Sequence, residues 1–522
     1  MNALLPLPSP RQLAWQAMET NAFVHFGPNT FTDVEWGGGE EDPNLFAPTD
    51  LDCDQWVRAF KAAGLKGVIL TAKHHDGFCL WPSKLSGHTV AQTKWRDGKA
   101  DVVEELAAAC RRGGLKFGIY LSPWDRNHPA YGTPEYNQIF SGMLKEVLTH
   151  YGSVFEVWFD GANGEGPNGK KQVYDWDLFI GTVRKYQPKA VIFSDAGPDV
   201  RWCGNEEGVG GEMCWSTIPS GRYLPGTPFY AELTAGRRDG DLWIPAEVNT
   251  SIRPGWFYHA DQDSKVRTPE NLMRLYETSV GRNGVMLLNV PPDRRGQLAA
   301  PDVAALTAFG VLRKQVYGHD LAKGARRTGD SYSLRGAVVF DRVELREPVA
   351  QGQRVAAFRV EARVSGEWRE IAKGTTVGNC RILPVPVTTA DGVRVLVDDS
   401  LATPTLLPVR LYFAGDLSLS ESATEKIAGR QAADGSLTLR LPGGDQSLLF
   451  EGIRGEIRVE VEGSGEGEVL VEVGGQTLRG RLTSGVLELG KAAIVVGGPT
   501  RLVVRVDGKG TVRVVRFMPV AH

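Results

Sequence analysis

Over residues 1–318 the chain alternates two kinds of apolar pattern. Short runs rich in β-branched and aromatic residues recur at 22–26 (AFVHF), 67–73 (GVILTAK), 116–122 (KFGIYLS), 153–160 (SVFEVWFD), 190–194 (AVIFS), 213–217 (MCWST), 243–248 (WIPAEV) and 284–290 (GVMLLNV). Between them, at 54–63, 101–112, 134–150, 175–186, 269–281 and 301–317, apolar residues return every three or four positions. The first pattern predicts strands and the second predicts helices with one buried face. Gly64 and Gly113 stand where the first two of these helices should stop. Eight strands interleaved with helices predict a (β/α)8 barrel of the TIM type over residues 1–318.

From residue 319 the helical period disappears. Stretches such as 337–345, 354–364 and 392–397 alternate apolar and polar residues between turn residues. This predicts an all-β sandwich at 319–416. A second all-β segment, 417–522, is richer in Gly and Val and contains no Trp, with runs such as IRVEVEG, EVLVEVGG, RLVVRVDG and TVRVVRF. Its poverty in aromatics favours a structural or dimerising domain over the alternative, a carbohydrate-binding module. The expected architecture is therefore multidomain: a barrel followed by β-sandwich domains.

Composition narrows the class. The 522 residues include 59 Lys and Arg against 62 Asp and Glu, and 42% are hydrophobic, which suits a globular chain with a large core. With a net charge of −3 and no long basic or acidic run, neither nucleic acid nor a membrane surface is an expected partner. No stretch approaches the roughly 20 apolar residues of a membrane span. Residues 1–16 lack a basic segment followed by an apolar one, so a cytoplasmic location is expected, with secretion the alternative should a signal segment have been removed. The six cysteines form no C-x-x-C pair and are expected as free thiols. Thirteen Trp and thirteen Tyr offer flat faces on which sugar rings can stack. The sequence does not fix the oligomeric state; a homo-oligomer is compatible with it.

In a barrel of this type the chemistry lies at the C-terminal strand ends and in the loops that follow. That rule selects His25 after the first run, Lys73-His74-His75-Asp76 after the second and Asp160-Gly161 after the fourth. It also selects Trp202, Asn205, Glu206 and Glu207 after the fifth, and Arg253, Trp256 and Tyr258 after the seventh. Asp160 follows an apolar strand directly, which puts a carboxylate in the barrel mouth; the alternative is an Asp capping the next turn. Trp158, two residues earlier, shares its face, and an aromatic beside a carboxylate suits a sugar subsite. The histidines could ligate a metal. However, neighbours in an extended chain point to opposite sides, and no H-E-x-x-H pattern is present. Neutral imidazoles donating to hydroxyls fit better, and no metal is expected. With no G-x-G-x-x-G or Walker element after a strand, no nucleotide cofactor is expected either. Gly37-Gly38-Gly39 predicts a mobile loop beside the site.

In order and in register, the segments FVHFGPNTFTDVEWG (23–37), TAKHHDGFCLWPS (71–83), SPWDRN (122–127), EVWFDGANG (156–164), GPDVRWCGNEEG (197–208), IRPGWFYH (252–259) and GTTVGNCRILPVP (374–386) resemble the α-L-fucosidases of glycoside hydrolase family 29. The resemblance spans residues 12–415. It implies a retaining exo-glycosidase acting on a fucosylated oligosaccharide or glycoconjugate. The EWG and GNEEG segments resemble the subgroup that cleaves α-1,3/1,4 linkages. It further implies Asp160 as nucleophile and Glu206 as general acid/base. His25, Glu35, Trp36, His74, His75 and Trp158 would hold the fucose ring and hydroxyls, with Arg253 and Trp256 completing the pocket. Phe31, Trp256 and Phe257 are candidate walls for the sugar methyl group. Glu207, Glu165, Glu212 and Glu247 are the other carboxyls expected near the rim, and Glu207 is expected to raise the Glu206 pKa. The alternatives are another retaining exo-glycosidase on the same barrel, or a non-catalytic fucose-binding protein.

Overall fold

The computed structural model describes residues 4–226 and 229–414, and then 425–426, 430–431, 436–441, 446–450, 455–473, 476–494, 500–508 and 511–519. Eight parallel strands close a barrel: β1 (Thr20–Val24), β2 (Gly67–Lys73), β3 (Lys116–Leu121), β4 (Glu156–Phe159), β5 (Val191–Ser194), β6 (Val200–Trp202), β7 (Ala246–Ser251) and β8 (Val285–Asn289). Alternation along the strands sorts the side chains into two cores. Phe23, Ile69, Tyr120, Trp158, Phe193 and Leu287 fill the barrel interior. Their neighbours Ala22, Val24, Val68, Leu70, Ile119, Val157, Phe159 and Leu288 belong to the larger core under the helices.

The helical ring comprises α1 (Pro10–Gln16), α2 (Cys53–Ala63), α3 (Val102–Gly113), α4 (Pro134–His150), α5 (Trp176–Tyr186), α6 (Pro269–Ser279) and α7 (Ala300–Tyr317). Asp52, Asp101 and Asp175 cap α2, α3 and α5 by accepting a backbone N–H in the first turn. Gly64 ends α2 in the left-handed conformation, as expected. The second helix runs through Gly113 and stops instead at Gly114, φ 74°. The periodicity did not predict α1, although Ser9 and Gln12 form a capping box at its start.

One strand lies elsewhere than the pattern predicts. The sixth barrel strand is Val200–Trp202, reached from β5 through residues 195–199 without a helix. The apolar run 213–217 is not in the barrel; Thr217–Ile218 pairs with Leu242–Trp243 in a separate two-stranded sheet. The run is apolar because the β domain covers it. Cys214 N–H donates to Thr376 Oγ1 at 2.8 Å, and Ser216 N–H donates to Gln353 Oε1 at 2.7 Å. Asn205, Glu206 and Glu207 therefore lie in the loop after the sixth strand, not the fifth.

Residues 326–412 form one six-stranded antiparallel sheet. Its long strands, Ser331–Leu345 and Arg381–Ser400, carry register shifts that bend the sheet around its own core of Phe340, Val343, Phe358, Val393 and Leu411. The chain separates into two compact units, Met1–Leu417 and Ser418–His522. The second unit contains two five-stranded sheets over a core that includes Ile457, Val459, Val471, Val504, Val515 and Phe517, the arrangement of a sandwich. All six cysteines are buried and free. Among the described residues no helix is long and apolar enough to cross a membrane.

The barrel closes where α7 meets α2. A Cβ built on Gly310 would stand 1.9 Å from the carbonyl oxygen of Ala62, so no side chain fits. Gly310→Ala is expected to destabilise the protein by about 1–3 kcal/mol, read as a lower midpoint in urea unfolding, whereas Gly181→Ala, with open space around it, is expected to be neutral or mildly stabilising.

Candidate active site

The strand ends converge as the barrel rule requires, and the geometry begins with Asp160. It follows β4 directly, and both carboxylate oxygens are held: Oδ1 accepts from Ala162 N–H at 2.8 Å, and Oδ2 accepts from the Tyr120 hydroxyl at 3.0 Å. His75 Nε2 stands 3.8 Å from Oδ2. Tyr120 rises from the interior face of β3 and is buried. Burial, and then the charge of Asp160, raise its pKa and keep it a donor.

Around Asp160 lies a wall of rings. His25 and Trp256 are 5.2 Å apart between centroids, His25 and His74 5.6 Å, His74 and His75 4.1 Å, and His75 and Trp124 4.9 Å. Trp36 stands edge-on to both His75 and Trp124 and is 59% exposed, an indole presented at the mouth. Phe257 is buried against His25 and His74. Phe31 is displaced from this wall; it packs with Phe26 and Phe46 in the core under the helices. Burial lowers the pKa of His25 and of His75 to about 4, and that of His74 well below its ordinary value. All three imidazoles are neutral at pH 7. Each neutral ring carries one N–H and one lone pair, which is the complement of a hydroxyl. His25 Nδ1 is engaged by Asn289 Oδ1 at 2.8 Å and His75 Nδ1 by Ser122 Oγ at 2.7 Å. Among the described residues no group of three or more His, Cys, Asp or Glu is disposed to hold a metal ion.

Asp160 and Glu206 line one cavity of about 710 Å³, together with Trp158, Tyr174, Trp176, Asp195, Trp202, Tyr230 and Asn249. The Glu206 loop is built around Asn205. The Asn205 carbonyl accepts from Trp202 Nε1 at 3.1 Å, its side-chain amide donates to Val209 O at 2.9 Å, and its Oδ1 accepts from Glu207 N–H at 3.1 Å. Glu206 keeps contact with solvent. Enough protein still surrounds its carboxyl that desolvation, followed by repulsion from Asp160, raises its pKa; a hydrogen bond from the Trp256 indole opposes this, and Glu35 adds a smaller push. The expected contributor, Glu207, is exposed and not among these causes.

The remaining expected residues divide. The Trp158 indole is stacked on Phe193 with centroids 3.9 Å apart, and its N–H donates to Glu247 Oε1 at 2.8 Å. Glu35 turns toward the loop after β7: its carboxylate accepts from the backbone N–H of Trp256 at 2.8 Å and of Phe257 at 3.3 Å, and meets His259 Nε2 at 2.6 Å. It shapes the loop that carries Trp256. Arg253 is not in the pocket. Its guanidinium is buried against Asp302 of α7 at 2.6 Å and Asp263 at 2.9 Å, the paired anions that a cation this enclosed needs. Glu247 is likewise buried inside the barrel rather than placed on the rim, and Glu212 is paired with Arg282 and Arg381. The glycine loop makes contacts to its neighbours: Glu41 accepts from Gly39 N–H at 2.8 Å, Arg126 donates to Gly37 O at 2.6 Å and Asn127 to Gly39 O at 2.7 Å.

Sequence reasoning missed Asp195. It follows β5 as Asp160 follows β4, lines the same cavity, accepts from Gly226 N–H at 2.6 Å, and burial raises its pKa to about 6. The strand-end rule, applied to the run AVIFS, would have found it. Tyr120 was missed because a Tyr inside an apolar run reads as core.

A sequence profile described as alpha-L-fucosidase matches residues 13–315. Alpha-L-fucosidase 1 of Arabidopsis thaliana is 42% identical over 452 residues, covering 78% of this chain and 88% of that protein. A crystal structure of a glycoside hydrolase 29 family member from an unknown rumen bacterium superposes with a TM-score of 0.77 at 33% identity, covering 99% of this chain and 96% of that one. A Ruminococcus gnavus GH29 fucosidase in complex with fucose superposes with a TM-score of 0.73 at 30% identity, covering 80% of this chain and 97% of that one.

Removing Arg253 leaves Asp302 buried without its partner. Arg253→Ala is expected to cost about 3–5 kcal/mol of stability, measured by denaturant unfolding; a loss below about 1 kcal/mol would contradict the pairing.

Proposed function

This chain belongs to the α-L-fucosidase family, glycoside hydrolase family 29, and we propose that it releases α-1,3/1,4-linked L-fucose from oligosaccharides with retention of configuration, through a fucosyl-enzyme formed on Asp160. It is a glycoside hydrolase, and its substrate is a fucose-containing glycan. The observation that carries the residue assignment is that Asp160 and Glu206 line one cavity and that the charge of Asp160 acts on Glu206.

Cleavage of a glycosidic bond builds positive charge at the anomeric carbon and negative charge on the departing oxygen, and one carboxyl group answers each. The Asp160 carboxylate, oriented by Tyr120 and Ala162, attacks the anomeric carbon. Glu206, its pKa raised, protonates the leaving oxygen and then takes a proton from the incoming water. The neutral imidazoles of His25, His74 and His75 exchange hydrogen bonds with the fucose hydroxyls without adding charge beside the nucleophile. Trp158 and Trp256 supply ring faces, and Phe257 supports the apolar side. The cavity is also lined by Tyr174, Trp176, Trp202 and Tyr230, an aromatic surface suited to further sugar units. The α-1,3/1,4 preference rests on the likeness of the EWG and GNEEG segments to that subgroup.

Asp160→Asn is expected to lower turnover by about 10³-fold or more. Glu206→Ala is expected to slow hydrolysis of an α-1,3/1,4-fucosylated trisaccharide by about 10²–10⁴-fold. It should still react with an aryl fucoside bearing a good leaving group, with azide restoring the second step. Full activity of Glu206→Ala on the trisaccharide would overturn the assignment. Proton NMR of the first-formed product reads the stereochemistry: β-fucose as the initial anomer would refute retention. A panel of 1,2-, 1,3-, 1,4- and 1,6-linked fucosides, followed by chromatography of free fucose, tests the linkage.

Because Glu206 must begin protonated and its pKa is raised, kcat/KM on the trisaccharide is expected to hold below that pKa and fall as pH rises through it. The same limb should be absent when Glu206→Ala is assayed with the activated fucoside.

A further inference from the structure

Below the pocket floor the barrel interior contains two carboxyl groups that the proposed mechanism does not use. Glu156, at the start of β4, and Glu247, in β7, are both 0% exposed, and they lie near enough for each carboxyl to act on the proton affinity of the other. One oxygen of each has a neutral partner. Trp15 Nε1 of α1 donates to Glu156 Oε2 at 2.8 Å, and Trp158 Nε1 donates to Glu247 Oε1 at 2.8 Å. The other two oxygens, Glu156 Oε1 and Glu247 Oε2, are buried with no donor facing them. Ionised carboxylates only accept. Two of them cannot bond, and a buried like-charged pair is strongly disfavoured. A single proton between the two oxygens removes both the repulsion and the missing donors.

We propose that Glu156 and Glu247 share one proton across the barrel interior, and that the pair are positioning residues that fix the Trp158 indole at the floor of the pocket. The surroundings agree. Besides Glu247, the charge acting most on Glu156 is Asp199, itself held by Arg11 at 2.9 Å and by Arg184. β5 and β8 present Val191, Phe193, Val285 and Leu287 to the interior; β1 presents Asn21, which is neutral. Burial raises the pKa of both carboxyls, and the Glu247 charge raises that of Glu156 further. The folded state therefore keeps a proton that the unfolded chain has lost above about pH 4.3. Its contribution to stability is complete below that pH and declines as pH rises through the raised value.

The catalytic consequence rests on the reading of the pocket given above; the proton itself does not, and the experiment separates the two. Full-length wild type, Glu156→Gln, Glu247→Gln and Glu247→Ala are compared. In infrared difference spectra at neutral pH, wild type minus either Gln variant is expected to show the C=O stretch of a protonated carboxylic acid. Glu156→Gln, whose amide donates to Glu247 without titrating, is expected to flatten the fall of stability with pH by up to about one proton. Glu247→Ala is expected to lower kcat/KM on a fucoside by about tenfold or more, with Glu247→Gln recovering most of it. No carboxylic-acid band in the difference spectra, or an unchanged pH slope, refutes the shared proton. A band together with unaltered kcat/KM in Glu247→Ala refutes the positioning role. If Glu247→Ala fails to fold, the two Gln variants still decide the proton, and Glu247→Leu, which fills the space but leaves the Trp158 N–H without its acceptor, is read for the same loss of kcat/KM in its place.

Discussion

Strand alternation inside a closed ring is the constraint on which the site depends. Residues two apart share a face, so β4 and the residue after it send Glu156, Trp158 and Asp160 up the inside of one wall. Each meets a different depth of the barrel. Glu156 is sealed against Trp15 and Glu247, Trp158 forms a floor stacked on Phe193, and Asp160 emerges at the mouth between Tyr120 and Ala162. A one-residue slip of this strand would bury Val157 and Phe159 in the interior and turn all three of these side chains toward the helices. The eightfold closure leaves no free edge that would permit such a slip.

Electrostatics at the mouth follow from the same depth gradient. Imidazoles set low enough to lose solvent become neutral. The carboxyl on the loop after β6 is drawn toward protonation by burial and by Asp160. The nucleophile candidate is gripped by neutral donors rather than by a cation. The donors that hold Asp160 are fixed by the fold, an arrangement that would serve a developing charge in the proposed reaction without reorganisation.

Much of this was legible in the sequence where the cause was local. The runs 67–73 and 116–122, the Asp caps of the helices and the carboxylate after EVWF depend on residues close along the chain. The failures have distant causes. The run 213–217 looks like a strand because it is buried, but what buries it includes Gln353 and Thr376, well over a hundred residues away. The true sixth strand, Val200–Trp202, is three residues long and follows β5 without a helix, so it breaks the expected alternation. Arg253 resembles a pocket residue until Asp302 is found behind it. Nothing adjacent to Glu35 announces that its carboxylate will clasp Trp256 and His259.

The loop that carries Glu206 continues into residues 210–216, which lean on the antiparallel sheet. Cys214 and Ser216 donate to Thr376 and Gln353, and Glu212 is clamped by Arg381. The sheet is therefore scaffolding for the loop that carries Glu206 rather than an appendage. A fragment ending at residue 318 would keep every strand of the barrel and lose the contacts that brace the Glu206 loop, so barrel and sheet stand or fall as the one compact unit they form.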